Sequence, residues 1–372
     1  MPASVDRNSY CFDIHHTLSL KFYNGITKIG PCCLADHIDL EHTNVQEFWN
    51  HDYLKKLRDQ NIDSKIPYEC RACSKLEQSG LHSRRSNHLQ YYSDEELTRP
   101  GVRMFDIHLP NLCNLRCTIC GPYDSSAWHE DAQLLGLPLK DEWKYSKDIP
   151  YNLKNLELPD TLEWVKFWGG EPLLTELHAD FLELLDQKGL LSQVRLMYNT
   201  NGTVKVSDRV LKLWEKARLI EVWFSIDDTG DRFEYQRFGA KWKEVTDNMQ
   251  WYYDNLPHNH LMYISCSYGR LNIWSLPDIV NWHSKYFNQS RFGDDIQLVF
   301  NRVLGVCSID QVDTNFYQQL CQRFQAYPEL QSILNTVQEV PGYSPTKFLD
   351  YVAGLDTIRH TNFLQTFPEY NV

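Results

Sequence analysis

From residue 102 onward, apolar and polar positions fall into a repeating pattern. Six short runs rich in β-branched and aromatic residues read as strands: VRMFDIHL (102–109), EWVKFW (163–168), VRLMYN (194–199), IEVWFSI (220–226), LMYISCS (261–267) and IQLVFNRV (296–303). Between them lie segments with helical periodicity, such as ADFLELLDQKG (179–189) and DRVLKLWEKA (208–217), the latter with Ser207 or Asp208 as N-cap. Strand alternating with helix predicts parallel strands joined by right-handed crossovers. Six units, fewer than the eight of a closed barrel, predict an α/β fold with a partial (β/α)6 TIM-like barrel over residues 102–305.

The pattern before residue 93 is different. HTLSLKFYNGITKIG (16–30) alternates Leu18, Leu20 and Phe22 around Asn24-Gly25, a strong hairpin signal. A helix is expected over 45–60, capped by Thr43 or Asn44, and a second short one after Pro67. This predicts a small hairpin-plus-helices module over 1–92. SDEELTRPG (93–101) marks the boundary, because Pro-Gly interrupts regular structure before the next apolar run. Residues 306–372 read as a helical C-terminal extension that carries no chemistry of its own.

Composition narrows the classes. Apolar residues make up 42% and aromatics 13%, as in a globular chain rather than a disordered one. The 37 Lys+Arg against 49 Asp+Glu leave a net charge of −12, which disfavours nucleic acid as the main partner. No apolar run approaches membrane-spanning length and no export signal opens the chain, so the expectation is a cytoplasmic protein with no membrane partner. Eleven cysteines in such a chain point to metal or thiol chemistry rather than a disulfide framework.

The cysteines cluster. CNLRCTICGP (113–122) places Cys113, Cys117 and Cys120 in a loop leaving the C-terminal end of the first barrel strand, where parallel β/α folds build their sites. Three thiols leave a metal centre one ligand short. His108, His129 or a distant cysteine could complete a zinc or ferredoxin-like site; alternatively, one iron of a cubane stays open. WGGEP (168–172), NTNG (199–202) and SIDD (225–228) follow the next three strands and gather on the same rim. Gly169 and Gly170 allow close backbone approach, and Glu171 can accept hydrogen bonds from an amine.

This combination resembles the radical S-adenosylmethionine (SAM) superfamily, whose C-x3-C-x2-C loop follows the first strand and whose GGE-type turn follows the second. The resemblance implies that Cys113, Cys117 and Cys120 hold a catalytic [4Fe-4S] cluster whose fourth iron is ligated by SAM rather than by the protein. It implies that Ile119 touches the adenine and that Gly169, Gly170 and Glu171 hold the methionine amine. Asn199, Asn201, Ser225 and Asp227 become candidate ribose contacts, and Arg237 in YQRFG a partner for the carboxylate. For the asparagines, turn capping remains an alternative, and for Arg237 a surface ion pair.

The N-terminal module has its own set: Cys11 before the hairpin, Cys32 and Cys33 after it, and Cys70-x2-Cys73 in YECRACSKLEQSGLHSRR (68–85). It resembles the twitch/SPASM-type auxiliary-cluster region of radical SAM proteins, here placed before the barrel, and implies a second [4Fe-4S] cluster. A zinc site on the same ligands is the alternative. Adjacent strand residues point to opposite faces, so Cys32 and Cys33 cannot both point the same way; both are candidate ligands, and Cys32, directly after Pro31, is the preferred one. Cys266 and Cys307 read as core thiols, with a substrate-facing role as the alternative, and Cys321 as structural.

The expected function is reductive SAM cleavage to a 5′-deoxyadenosyl radical and hydrogen abstraction from a peptide or protein side chain. The alternatives are dehydrogenation, decarboxylation or epimerisation of a small sugar or amino-acid derivative, and, more remotely, a zinc-stabilised binding protein. Resemblance also implies a flavodoxin or ferredoxin as electron donor.

Overall fold

The computed structural model describes residues 6–23, 26–40, 45–63, 65–78, 82–145, 153, 156–288 and 296–370. The hairpin tip Asn24-Gly25 and the capping candidates Thr43 and Asn44 lie outside the described residues. The chain divides into two compact units: Met1–Pro110, Asp141–Tyr198 and Ser207–Ile220 form the first, and Asn111–Lys140, Asn199–Val206 and Glu221–Val372 the second.

Nine strands carry the architecture: β1 Thr17–Phe22, β2 Thr27–Gly30, β3 Ile38–Leu40, β4 Met104–His108, β5 Trp164–Trp168, β6 Arg195–Thr200, β7 Leu219–Ser225, β8 His260–Tyr268 and β9 Gln297–Arg302. The last six are the six runs read from the sequence. They alternate with helices that include Leu177–Gln187, Asp208–Trp214, Trp242–Asn255 and Leu276–Asn288. The fold class is therefore α/β with a mostly parallel sheet and six β/α repeats, the count of a partial (β/α)6 barrel.

In the first unit the strand order is β3-β2-β1-β4-β5-β6. Side chains on β5 alternate strictly: Val165 and Phe167 are buried, while Trp164, Lys166 and Trp168 are half-buried on the other face. The buried face packs under the helix Leu177–Gln187, with Phe181 against Phe105 and Phe167. The opposite face, with Lys166 between two indoles, is the more polar of the two.

The hairpin is not a detached module. β1 pairs antiparallel with β2 on one side and parallel with β4 on the other, in the register Ser19↔Asp106 and Lys21↔His108. A strand paired on both sides and covered on both faces buries every residue, and all six residues of β1 are buried. The alternation of Leu18, Leu20 and Phe22 identified the strand but not this second partner. The expected helix over 45–60 is likewise two helices, Val45–Trp49 and Asp52–Ile62, because the His51 side chain accepts from Tyr53 N and starts a new one. SDEEL, read as a linker, is a short helix with a Ser93–Glu96 capping box.

In the second unit β7, β8 and β9 follow in that order. Trp223 stacks on Tyr263 at 4.1 Å, and β8 pairs parallel with β9 from Tyr263↔Gln297 to Tyr268↔Arg302. Cys266 is fully buried in an apolar cluster with Ile273, Leu276 and Leu320, as expected of a structural thiol, and Cys321 packs at its edge. Among the described residues no helix is long and apolar enough to cross a membrane.

Candidate active site and cysteine-lined cavity

The loop after β4 lies in the second unit and is fixed at both ends. Arg116 N donates to Phe238 O at 2.9 Å and Thr118 N to Gln236 O at 2.7 Å, tying the loop to the end of the helix Gly230–Gln236. A turn closed by Cys120 N donating to Cys117 O (3.0 Å) brings the last two cysteines together, and Trp128 Nε1 donates to the same carbonyl at 2.8 Å. Cys117 is buried, while Cys113 and Cys120 are partly open.

Two nitrogen donors point at these sulfurs. Asn201 Nδ2 lies 3.8 Å from Cys113 Sγ, and Arg237 Nη1 lies 3.9 Å from Cys117 Sγ. The hydrogen bond from Cys120 draws the Cys117 thiol below its ordinary pKa, against the effect of burial and with help from Arg237. Cys120, as the donor of that bond, is pushed up. The pair thus places its more acidic thiol beside a guanidinium. Burial works against the charge on Arg237, but Asp227 and the two thiols hold it protonated. Its Nη2 pairs with Asp227 Oδ2 at 2.7 Å.

Asp227 is itself buried and accepts from Ser267 N at 2.7 Å through Oδ1. Asn201 caps its own turn, its Oδ1 accepting from Thr203 N at 2.9 Å, and its Nδ2 also donates to Asn114 Oδ1 at 3.0 Å. The capping alternative and a place at the cysteine loop therefore hold together for this residue. Asn199 Oδ1 is buried without a hydrogen-bond partner among the described residues. Ser225 is half-buried at the end of β7. Ile119 packs against an apolar cluster that includes Phe348, Val352 and Cys307. His129, considered above as a fourth ligand, has its Nε2 3.1 Å from Pro122 O.

The C-terminal extension bears directly on this loop, which the sequence did not reveal. Arg359, on the helix Thr346–Arg359, donates through Nε to Asp131 Oδ2 (2.8 Å), through Nη1 to Thr118 Oγ1 (3.2 Å) and through Nη2 to Arg116 O (2.7 Å). Tyr351 on the same helix donates to Thr118 O at 2.7 Å. No local pattern could have signalled contacts spanning more than two hundred residues.

In the first unit the turn after β5 depends on glycine. Gly169 has φ +91°, and a Cβ there would stand 2.6 Å from Leu109 O and 2.8 Å from the His108 ring. Gly170 follows at φ +49°. Glu171 is buried and accepts from Leu173 N at 3.1 Å, capping the short 3-10 helix Pro172–Leu174. His108 sits edge-on to Trp168 at 4.5 Å; burial, helped by Lys21, pushes its pKa down to about 3, so it is neutral.

The same unit holds a cavity lined by Cys11, Cys32, Cys70 and Cys73 together with Asp13 and Arg85. Asn61 sets one corner by accepting from Cys11 N at 3.0 Å and donating to Ser9 O at 2.8 Å. Cys33 is not among the lining residues; the charges it feels are those of Asp106, Arg84, Lys166 and Asp13. Burial raises the Cys11 and Cys32 thiols well above their ordinary value and Cys70 to about 12, with Asp13 adding to the effect. A metal centre binding here has to displace protons. Among the described residues no three His, Cys, Asp or Glu side chains form a ready-made site for a single metal ion.

Residues 107–280 match the family model described as the Radical SAM superfamily. Over that span the chain is similar to the radical SAM superfamily. No curated protein matches it. Among solved structures, the chain is similar to native anSMEcpe with bound AdoMet, at 18% identity and TM-score 0.41, over 62% of this chain and 61% of that one. It is also similar to Streptococcus suis SuiB bound to S-adenosylmethionine (12% identity, TM-score 0.37, 91% and 75% covered). The crystal structure of SuiB bound to precursor peptide SuiA matches at 11% identity and TM-score 0.37, over 95% and 73%. The chain spans less than two thirds of the length of anSMEcpe, and at these scores the likenesses decide neither substrate nor reaction.

Proposed function

We propose that this protein is a radical SAM enzyme that abstracts hydrogen from a peptide or protein side chain, with a second iron-sulfur cluster assisting. The observation that carries the reading is the loop in which Cys113, Cys117 and Cys120 are held while Asn201 and Arg237 direct N–H groups at two of the sulfurs. Donors of that kind stabilise thiolate-bound iron and tune its potential. When bound, a [4Fe-4S] cluster and SAM supply a 5′-deoxyadenosyl radical able to attack an unactivated C–H bond.

The chain's own part is to hold and shield. Arg237, charge-balanced by Asp227, offsets the negative charge that three thiolates bring into a buried loop. Gly169 and Gly170 expose backbone groups to the amino-acid end of SAM, and Glu171 accepts from its amine. Asn199, with its unpartnered Oδ1, is the ribose contact the geometry favours most, and Ile119 supplies apolar surface for the adenine. Cys11, Cys32, Cys70 and Cys73 hold the auxiliary [4Fe-4S] cluster in the manner of twitch/SPASM-type modules, and Cys33 is not a ligand.

In this reading 1–92 is the auxiliary module, 102–305 the radical SAM domain and 306–372 an extension that braces the cluster loop. A flavodoxin or ferredoxin supplies the electron. The test is anaerobic reconstitution followed by dithionite reduction with SAM. Wild type releases 5′-deoxyadenosine and Cys117→Ala releases none; continued release by the variant, or a colourless zinc-loaded wild type, would end the reading.

A further inference from the structure

The parallel register β1-β4-β5 places Lys21, His108 and Trp168 side by side on the polar face of the first unit, and Ser19, Asp106 and Lys166 in the row behind. Gly169 directly follows Trp168, so this face adjoins the glycine turn. Lys21 Nζ lies 5.6 Å and Lys166 Nζ 5.9 Å from the centre of the Trp168 ring, so two ammonium groups approach one indole.

The charges around them do not balance. Asp106 and Asp13, the nearby carboxylates, are committed to Arg84: its Nε meets Asp13 Oδ2 at 2.8 Å and its Nη2 meets Asp106 Oδ2 at 3.3 Å. Asp106 Oδ1 also accepts from Trp168 Nε1. His108 and His37 are neutral, the first pushed by burial to about 3 and the second to about 4. Lys21 is only 9% exposed. Among the described residues neither lysine has a carboxylate within ion-pair range or a hydrogen bond. A buried ammonium without an anion is costly, and a cation–π contact recovers only part of that cost. Such a charge is retained where a ligand completes it.

We propose that Lys21 and Lys166, with Trp168 between them, form an anion subsite that takes a carboxylate of the substrate and fixes the substrate beside the Gly169–Glu171 turn. The proposal rests on the radical SAM reading. It narrows the substrate to one bearing a carboxylate, either an acidic residue of a peptide or a small acid.

The test uses the reconstituted full chain saturated with SAM and two matched pairs of probes: succinate against succinamide, and acetyl-Gly-Glu-Gly-amide against its Gln counterpart, with binding followed by saturation-transfer NMR. The expected result is that at least one acid binds tenfold or more tighter than its amide, and whichever acid binds better identifies the source. Lys21→Met and Lys166→Met should each remove the preference, and Lys21→Arg should restore most of it, with SAM binding and dithionite-driven 5′-deoxyadenosine release unchanged. Equal binding of acid and amide overturns the subsite, and the wild-type comparison decides this even if a variant misfolds. A preference that survives both Met variants does the same. Loss of SAM affinity in Lys21→Met reassigns the lysine to the methionine carboxylate and also overturns it. If the wild type cleaves no SAM yet keeps its acid preference, the radical reading fails and the anion site stands.

Discussion

Arg359→Met tests whether the C-terminal helix holds the cluster loop. The Arg359 side chain is 2% exposed and its partner Asp131 is 1% exposed. Methionine keeps most of the apolar stem between Trp128 and Phe238, whose ring centres lie 5.0 and 4.8 Å from the guanidinium. What it removes is the charge and three sets of hydrogen bonds. Removing one partner of a buried pair costs about 3–5 kcal/mol, most of it from the charge left behind. Here Arg116 Nη1 still reaches Asp131 Oδ1 at 2.7 Å, which moves the expectation to the lower end.

The Arg116 carbonyl left without Arg359 lies on the cysteine loop itself and adds about 1 kcal/mol, whereas the Thr118 hydroxyl still donates to Tyr235 O at 3.2 Å. The sum is about 4 kcal/mol. At roughly 2–4 °C per kcal/mol for a large domain, thermal unfolding of the iron-free protein should fall by about 8–16 °C. Arg359→Met combined with Asp131→Leu should recover at least half of the loss, because a neutral pair replaces a stranded carboxylate. A single variant that melts within 2 °C of wild type, or a double variant worse than the single, would refute the argument.

Three further outcomes follow from the same geometry. Gly169→Ala should destabilise clearly more than Gly189→Ala, since both have positive φ but only Gly169 has backbone within 2.6 Å of the new Cβ; equal melting shifts would contradict this. Burial raises Asp228 to about 7, against the bonds it accepts from Ser275 and Thr229. The folded state then holds more protons than the unfolded one between the ordinary carboxylate value and about 7. Asp228 therefore favours folding at low pH and loses that contribution as pH rises through 7, by at most about 4 kcal/mol. Asp228→Asn should gain stability over wild type at pH 8 and not at pH 4, measured by chemical denaturation at each pH. Finally, Cys32→Ser should lower iron per chain after reconstitution while Cys33→Ser should not, and the reverse result in an iron assay would invert the ligand assignment.

Much of the fold was legible because each barrel strand carries its own signal. The six runs matched β4 to β9 within a few residues, since β-branched and aromatic positions bounded by turn residues report strand structure locally. Ser207 was likewise readable as an N-cap and accepts from Val210 N at 3.4 Å. The break at His51 was missed because an imidazole cap leaves no usual sequence mark. The cysteine loop and glycine turn were readable because a C-x3-C-x2-C spacing and a positive φ each show as particular residue types at fixed positions.

The amino-acid sequence by itself determined the order of the six strands β4 to β9, the cysteine loop and the GGE turn, because these depend on neighbours a few positions apart. Tertiary structure alone decided that β1 pairs with β4, that Cys32 rather than Cys33 faces the cavity, that Arg359 grips the cysteine loop, and that Lys21 and Lys166 meet at Trp168. Each is a contact between residues far apart in the chain, fixed by strand register and by which charges find partners on burial, and neither is written in a local pattern.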